Sequence, residues 1–335
     1  MWMLRDNLLN QYQDILQAYL QDGGEDQLYL GQQLSKWLLA ENVSPEEIID
    51  IHLGALTSKT EVSQEIRASF ELLTEVMIEY GNVCRENRSL RDRQKQMESE
   101  YEVAAAMQQT MLPLEVPQFP GLDIGLVNVP ATKMSGDYYN FEQGEASAFS
   151  VAIADIVGKG LPAALCMSMI KFAMDMHSDS AMKPGQMLHH LNRVVERNLD
   201  PSMFVTMLFG RYDTDRHLFR YAVAGHEPGF LYREREQRFF DLEGKGLVLG
   251  LMPETGYTEH EVALESGDML ILMTDGVVER KIGTRYFQRE DLLPYLEAEV
   301  GLSAQAMAER IYRRLLLLSN FQLHDDYTMI VIHRV

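Results

Sequence analysis

From Pro113 to the end, the chain places short β-rich runs next to one another with no helix between several of them. "GLDIGLVNVP", "SAFSVAIAD", "FVTMLFGRYD", "LFRYAVAGHEPGFLYR", "GDMLILMTDG" and "YTMIVIHRV" are bounded by Gly, Asp or Pro and are rich in β-branched and aromatic residues. Parallel neighbours need a crossover of a dozen or more residues, whereas antiparallel neighbours need only a turn. The helical stretches "PAALCMSMIKFAMDMH", "PGQMLHHLNRVVERNL" and "SAQAMAERIYRRLLLL" are too few to alternate with every strand. The pattern predicts an antiparallel, layered α+β domain over residues 113–335 rather than a doubly wound parallel sheet.

The front of the chain has a different texture. Over residues 1–83, apolar positions recur with a helical period, as in Leu8, Leu9, Tyr12, Ile15, Leu16 and Tyr19, and then Leu30, Leu34, Trp37 and Leu38. Ser44-Pro45 with Glu47 forms a helix-start signal, and "SFELLTEVMIEYG" supplies a fourth helix, so the expectation is a helical bundle. His52 stands alone and reads as a surface or packing residue. Residues 84–112 form a connector in which Val83, Leu90, Met97, Ala104 and Met111 recur every seven residues. Asn87, Gln94, Tyr101 and Gln108 occupy the positions where a robust coiled coil places leucine. This half-seam predicts a conditional coiled coil that closes only when something else holds two copies together. The alternative is a single helix lying on the following domain.

Charge divides the chain in the same places. Residues 1–83 hold 14 acidic against 4 basic side chains, 84–112 hold 5 of each, and the whole chain of 335 residues carries −20. Such a balance disfavours nucleic acid, since little is present to release counterions from a phosphate backbone. The acidic front reads either as a solvated surface or as a docking face for a partner protein. The start, with Arg5 and Asp6, lacks a signal core. Cys84 and Cys166 form no metal or disulfide pattern, and no apolar run reaches membrane-spanning length. The expectation is a cytoplasmic protein with no membrane contact.

Acids recur at strand edges. Asp137 follows a glycine in "MSGDYY", Asp155 ends "VAIAD", Asp275 ends "MLILMTDG", and Asp325 and Asp326 precede the last strand. A single such residue is usually a turn former. Several together, without basic partners beside them, suit a hard cation such as Mg²⁺ or Mn²⁺, which takes oxygen ligands and keeps waters. Two such ions about 3.5–4 Å apart activate a water and neutralise charge on a phosphoryl group, with no protein nucleophile required. The "GKG" after Asp155 lacks the spacing of a phosphate-binding loop. Gly158 and Gly160 read instead as a hinge between Asp155 and a helix that Pro162 helps to start.

Together "SGDYY", "AIADIVGKGLPAAL", "AGHEPGF", "GLVLG", "LILMTDGVVE" and "HDDYTMIVI" resemble the bacterial PPM/PP2C-type serine/threonine phosphatases of the SpoIIE group, over about residues 101–335. The resemblance implies an αββα sandwich preceded by the helical bundle and a long linker helix. It implies two ions, Mn²⁺ or Mg²⁺, held by Asp137, Asp155, Asp275 and chiefly Asp325 of the final pair, with Asp326 a lesser candidate and the backbone carbonyl of Ile156 completing the set. Ile156 stands where the family has glycine, and Val157 stands where the wider family has a histidine acid, so leaving-group protonation falls to water. His226 in "AGHEPG" reads as structural.

The resemblance further implies a substrate, a phosphoserine or phosphothreonine on a small anti-anti-sigma protein. It also implies an activator, a kinase-like switch protein that binds the front of a homodimer and so turns on a stress sigma factor. Pairing of the linker through Leu90, Gln94, Met97 and Gln108 would push on the helix that begins after the GKG hinge and reset Asp155. Leucine at Gln94 and Gln108 is then expected to raise activity without the partner. A catalytically inactive phosphatase-like binder is the rival reading. A metal-dependent nuclease is disfavoured by the acidic surface.

Overall fold

The computed structural model describes residues 2–41, 43–58, 60–144, 147–177, 182–200, 202–282 and 285–335. The chain divides into two compact units, Met1–Glu98 and Ser99–Val335, and the division falls inside the segment read as a linker.

The first unit is helical, with α1 (Trp2–Asp22), α2 (Glu25–Ala40), α3 (Pro45–Thr57) and the start of α4 (Gln64–Gln109). The start signal of α3 is realised as a capping box, with the Glu47 amide donating to Ser44 Oγ at 3.3 Å and the Ser44 amide to Glu47 Oε2 at 3.1 Å. His52 accepts or donates at Nδ1 with the Tyr12 hydroxyl at 2.8 Å and lies against Phe70. The buried residues of this unit's core, Leu34 and Leu38, gather Tyr12, Ile15, Val43, Ile48 and Ile51 around them.

The fourth helix of the front and the connector are one element. α4 runs unbroken for 46 residues through Gly81. An interior glycine costs a helix only about 1 kcal/mol relative to alanine, and Arg85, Glu86, Arg88, Leu90 and Arg91 among the residues that follow favour helix. At Gly81 the helix also meets Pro45 and Glu46 closely, and a side chain there would come within 3.1 Å of both.

The second unit stacks two five-stranded antiparallel sheets. One is ordered β2 (Asp137–Gln143), β3 (Ala148–Ile156), β4 (Val205–Asp213), β5 (Leu218–Ala224), β8 (Glu259–Ala263). The other is ordered β1 (Leu122–Val129), β12 (Tyr327–Arg334), β9 (Met269–Met273), β6 (Gly229–Arg233), β7 (Arg238–Leu242). A small hairpin of β10 (Arg280–Ile282) and β11 (Arg285–Phe287) stands apart. Helices α5 (Leu161–Asp175) and α6 (Pro184–Asn198) pack on the first sheet, while α7 (Arg289–Glu297) and α8 (Ala304–Leu318) pack on the second.

Strand alternation builds three core layers. In β3, Ala152, Ala154 and Ile156 face the helices, whereas Phe149, Val151 and Ile153 face the other sheet. In β9 and β12, Leu270, Leu272, Ile330 and Ile332 complete that inner layer, while Met269, Ile271, Met273, Met329 and Val331 meet α7 and α8. This is the antiparallel, layered α+β domain that the pattern predicts, in the αββα form that the resemblance implies. Among the described residues no helix is long and apolar enough to cross a membrane.

Candidate metal centre

The alternation that forms the inner layer also selects what stands at its end. Asp137 shares a face with Tyr139, Asp155 with Ile153, Thr206 with Leu208, Thr274 with Leu272 and Thr328 with Ile330. Asp137 and Asp155 are direct antiparallel partners, and Asp155 pairs on its other side with Thr206. Two carboxylates directly opposite on neighbouring strands repel. The fold therefore places like charges together where only a cation or protons relieve them.

Asp137 is 1% exposed. Its Oδ2 accepts hydrogen bonds from Thr274 Oγ1 at 2.8 Å and Thr328 Oγ1 at 2.6 Å. Each threonine is itself directed: Thr274 Oγ1 accepts from the Thr328 amide, and Thr328 Oγ1 accepts from the Asn128 side chain. Both hydroxyl protons are thus left for Asp137. Burial nonetheless holds its carboxyl well above the usual range, against the two threonines and reinforced by Asp155 and Asp326. Asp155 is pushed up to about 7 by burial, then by Asp275, Asp325 and Asp326, with Lys159 opposing. Asp275 is pushed up to about 6 by burial, then by Asp325 and Glu279.

Asp275 opens a short 3₁₀ turn, Asp275–Val277. Arg280 holds that turn by donating to the carbonyls of Gly276 at 2.7 Å and Val277 at 3.1 Å. Gly276 is sterically required, since a Cβ there would lie 1.8 Å from the Asp326 carbonyl oxygen. That contact brings Asp275 against the final aspartate pair.

The pair itself divides in role. Asp325 is half exposed, and its Oδ1 accepts from Lys159 Nζ at 2.9 Å and from the Asp326 amide at 3.1 Å. Asp326 is buried, and both its oxygens are engaged, Oδ1 by the Ala131 amide at 2.7 Å and Oδ2 by the Gly136 amide at 2.6 Å. This arrangement makes Asp326 a brace for the loop that carries Asp137. Of the final pair, Asp326 spends one acceptor site of each oxygen on main chain, whereas Asp325 stands half exposed beside Lys159.

The hinge glycines both adopt positive φ, 110° at Gly158 and 80° at Gly160, a region that side chains disfavour. They turn the chain from Asp155 into α5 and extend Lys159 towards Asp325. Val157 supplies no acid. His226 is buried, with Nδ1 3.0 Å from Thr206 Oγ1, and burial lowers its pKa to about 4, so it is a neutral prop behind Asp155's strand partner.

Sequence reasoning missed Thr274, Thr328, Arg280, Thr206 and the ion pair of Lys159. The first two were signalled by threonine beside the acids in "MTDG" and "DDYT". Of the linker residues, Leu90, Gln94 and Met97 are exposed. Gln108 is 3% exposed and packed within the second unit, so it is unavailable as the open seam position expected of it.

The donor set fits a hard cation in its chemistry. Around the point where a side chain on Gly136 would begin, the Ile156 carbonyl oxygen at 3.0 Å, Asp155 Oδ1 at 3.1 Å and the Gly158 carbonyl oxygen at 3.5 Å converge. Such all-oxygen surroundings suit Mg²⁺ or Mn²⁺. Among the described residues, no three Asp, Glu, His or Cys side chains close into a metal cage by themselves. Threonines, amides and Lys159 hold the acids instead, which leaves part of a cation's shell to carbonyl and water.

Comparison with known proteins agrees with this architecture. A family model described as Stage II sporulation protein E (SpoIIE) matches residues 145–335, and one described as the N-terminal domain of phosphoserine phosphatase RsbU matches residues 10–83. Phosphoserine phosphatase RsbU of Bacillus subtilis is 45% identical over 331 residues, spanning 98% of both chains. Among solved structures, the SiaA PP2C domain of Pseudomonas aeruginosa superposes with a TM-score of 0.62 at 20% identity, covering 72% of this chain and 98% of that one. The PP2C phosphatase domain of SpoIIE from Bacillus subtilis, with a fragment of its regulatory domain, gives 0.54 at 16% identity, covering 82% and 100%. With its helical front, its two-sheet sandwich and 45% identity to a named phosphatase over 98% of its length, the chain belongs to the RsbU-type phosphoserine phosphatases, whose catalytic unit is the SpoIIE form of the PP2C fold.

Proposed function

We propose that the chain hydrolyses a phosphoserine or phosphothreonine on a small anti-anti-sigma protein of the RsbV type, using two divalent ions, Mn²⁺ or Mg²⁺. The observation that carries this reading is the cross-strand pair of Asp137, which is buried, and Asp155, which is half-buried, carboxylates set directly opposite one another with Asp275 and Asp325 acting on Asp155 as further like charges. Asp137, Asp155, Asp275, Asp325 and the Ile156 carbonyl would hold the ions, which supply an activated water and neutralise charge on phosphorus. The chain's own contributions are positional. Thr274 and Thr328 orient Asp137, the Asp326 brace sets its loop, and the Gly158–Gly160 hinge presents Ile156. Lys159 offers a cation at the rim for an incoming phosphoryl group. No side chain is placed as acid at Val157, so water protonates the leaving oxygen.

Regulation follows from the first unit. A kinase-like switch protein of the RsbT type binds the front of a homodimer, the linker helices pair, and a stress sigma factor is released downstream. Support comes from the apolar side chains this unit leaves exposed, among them Leu28, Tyr29, Leu72 and Val76, and from a groove of about 940 Å³ lined by Leu38, Val43, Ile48, Met77 and Tyr80.

The test is turnover of p-nitrophenyl phosphate with Mn²⁺, with and without the partner, for the parent chain and Asp155→Asn. Metal-dependent hydrolysis lost in the variant supports the reading. Absence of hydrolysis in the parent under both conditions sinks it in favour of an inactive binder.

A further inference from the structure

The last turn of α4 carries one polar side chain into the catalytic unit. Gln108 Nε2 donates to the Ser135 carbonyl at 2.6 Å, and Gln108 Oε1 accepts from the Ser135 amide at 2.9 Å. A single primary amide thus satisfies both main-chain groups of one residue, as a neighbouring strand would. An apolar cluster of Ala105, Met134 and Ala164, with Tyr101 and Ala104 alongside, packs on the same turns of α4, and Gln108 itself is 3% exposed.

Ser135 is the start of a short chain of main-chain bonds that ends on the candidate ligands. Its hydroxyl accepts from the Asp137 amide at 3.0 Å. The Gly136 amide is fixed by Asp326 Oδ2 at 2.6 Å, and the Gly136 carbonyl accepts from the Ile156 amide at 3.1 Å. The amides of Ser135, Gly136 and Asp137 and the carbonyls of Ser135 and Gly136 therefore all have partners, supplied by Gln108, Asp326, the Ser135 hydroxyl and the Ile156 amide. A shift of α4's last turn displaces Ser135, and with it the Asp137 side chain and the Ile156 peptide.

From this geometry we infer that Gln108 is a positioning residue for phosphate-ester hydrolysis, clamping the Ser135–Asp137 loop so that Asp137 and the Ile156 carbonyl meet the metal in register. This rests on the function proposed above. It assigns Gln108 a role opposite in sign to that of a weak seam position. Leucine there would leave the Ser135 N–H and C=O buried without partners and release the loop.

The test uses the full chain with Gln108→Leu and Gln108→Glu. Mn²⁺ affinity is read from the electron paramagnetic resonance signal of free Mn²⁺, turnover of p-nitrophenyl phosphate at saturating Mn²⁺, and folding from thermal unfolding. Small displacements at a reacting centre cost one to two decades in rate. For Gln108→Leu we expect roughly tenfold weaker Mn²⁺ binding and a kcat about tenfold or more below the parent, with KM for the ester within about twofold. Gln108→Glu keeps the acceptor for the Ser135 amide but opposes a carboxylate to the Ser135 carbonyl, and should fall between. It also stands in if the leucine variant does not fold. Parent-like Mn²⁺ affinity and kcat in both variants, or raised turnover in Gln108→Leu, overturns the inference and leaves the phosphatase reading intact. A parent without Mn²⁺-dependent turnover overturns both.

Discussion

The two units use apolar side chains in opposite ways. In Ser99–Val335 the inner layer between the sheets and the two layers under the helices bury long aliphatic and aromatic side chains almost completely. In Met1–Glu98 the buried cluster rests on Leu34 and Leu38, while Leu72, Val76 and Tyr80 of α4 and Leu28, Tyr29 and Leu39 of α2 remain exposed. The sandwich carries enough buried area to hold an electrostatically unfavourable pair at its end. The helical unit has no such reserve, and its outward apolar surface gains stability only when covered. Unfavourable like charge sits in the self-sufficient unit, and exposed apolar surface sits in the other.

The strongest way to sharpen this contrast is to remove the unfavourable charge. Asn at Asp137 keeps an acceptor for Thr274 and Thr328 but cannot ligate a cation as a carboxylate does. Asp137→Asn is expected to lower Mn²⁺-dependent turnover by about a thousandfold or more. It should also stabilise the metal-free catalytic unit by roughly 1 kcal/mol, several degrees in unfolding midpoint, because a buried uncompensated acid is gone. Thermal unfolding in chelator checks the second half. A lower midpoint would mean that the two threonines overcompensate the burial of charge.

Next in size are paired truncations. Ile330→Ala empties part of the inner layer and should cost about 2–5 kcal/mol in denaturant unfolding. Leu72→Ala, on a residue 69% exposed, should change stability by less than about 0.5 kcal/mol at low concentration. Equal costs would break the comparison. A cost for Leu72→Ala that appears only as protein concentration rises would sharpen it, since a second copy then covers that face.

Much of this was legible in the sequence because periodicity reports burial. The runs around Ile153, Leu208, Leu270 and Ile330 alternate or are wholly apolar, and all form strands. The "DYYNFEQ" strand went unnoticed because polar residues occupy buried positions in it, Asp137 and Asn140 among them. Helix α7 was hidden by Pro294 inside it. The strand-edge acids were visible one by one, but their convergence depends on register, and register is set by pairing that only the folded sheet displays. The division of labour between Asp325 and Asp326 was likewise invisible, since adjacent identical residues differ here only in what main chain they face. The continuity of α4 through Gly81 was not legible, because the apolar pattern changes there from a bundle stripe to a seven-residue repeat while the backbone stays helical.

Histidines offer a pH-resolved version of the comparison. His226 is held neutral in the folded catalytic unit, its pKa lowered to about 4. An unfolded histidine titrates near 6.5, so the unfolded chain binds the extra proton between those values. Stability is therefore full above pH 6.5 and declines as pH falls towards 4, by up to roughly 3 kcal/mol from this group. His226→Gln should flatten that part of the stability–pH curve. His52, also lowered by burial but only part-buried beside Tyr12, has the same sign, and His52→Gln should flatten the curve of the first unit less. An unchanged slope in His226→Gln would mean that the loop opens before the ring is protonated.

The smallest effect on the folded monomer is expected at the linker, and its sign separates the two halves of the heptad pattern. Gln94 is exposed, so Gln94→Leu should leave monomer stability within about 0.5 kcal/mol. It adds a leucine between Leu90 and Met97, which are themselves exposed, and so completes a seam over the turns that belong to the first unit. Sedimentation should then show stronger self-association, and partner-free turnover should rise a few-fold. Gln108→Leu, one unit further on, should lower turnover because Ser135 rather than a second helix receives that side chain. If both leucines raise activity, the whole heptad run pairs and the clamp yields to it. If Gln94→Leu neither associates nor gains turnover, the exposed stripe at Leu90 and Met97 is a solvated face, and coupling between the units does not run through helix pairing.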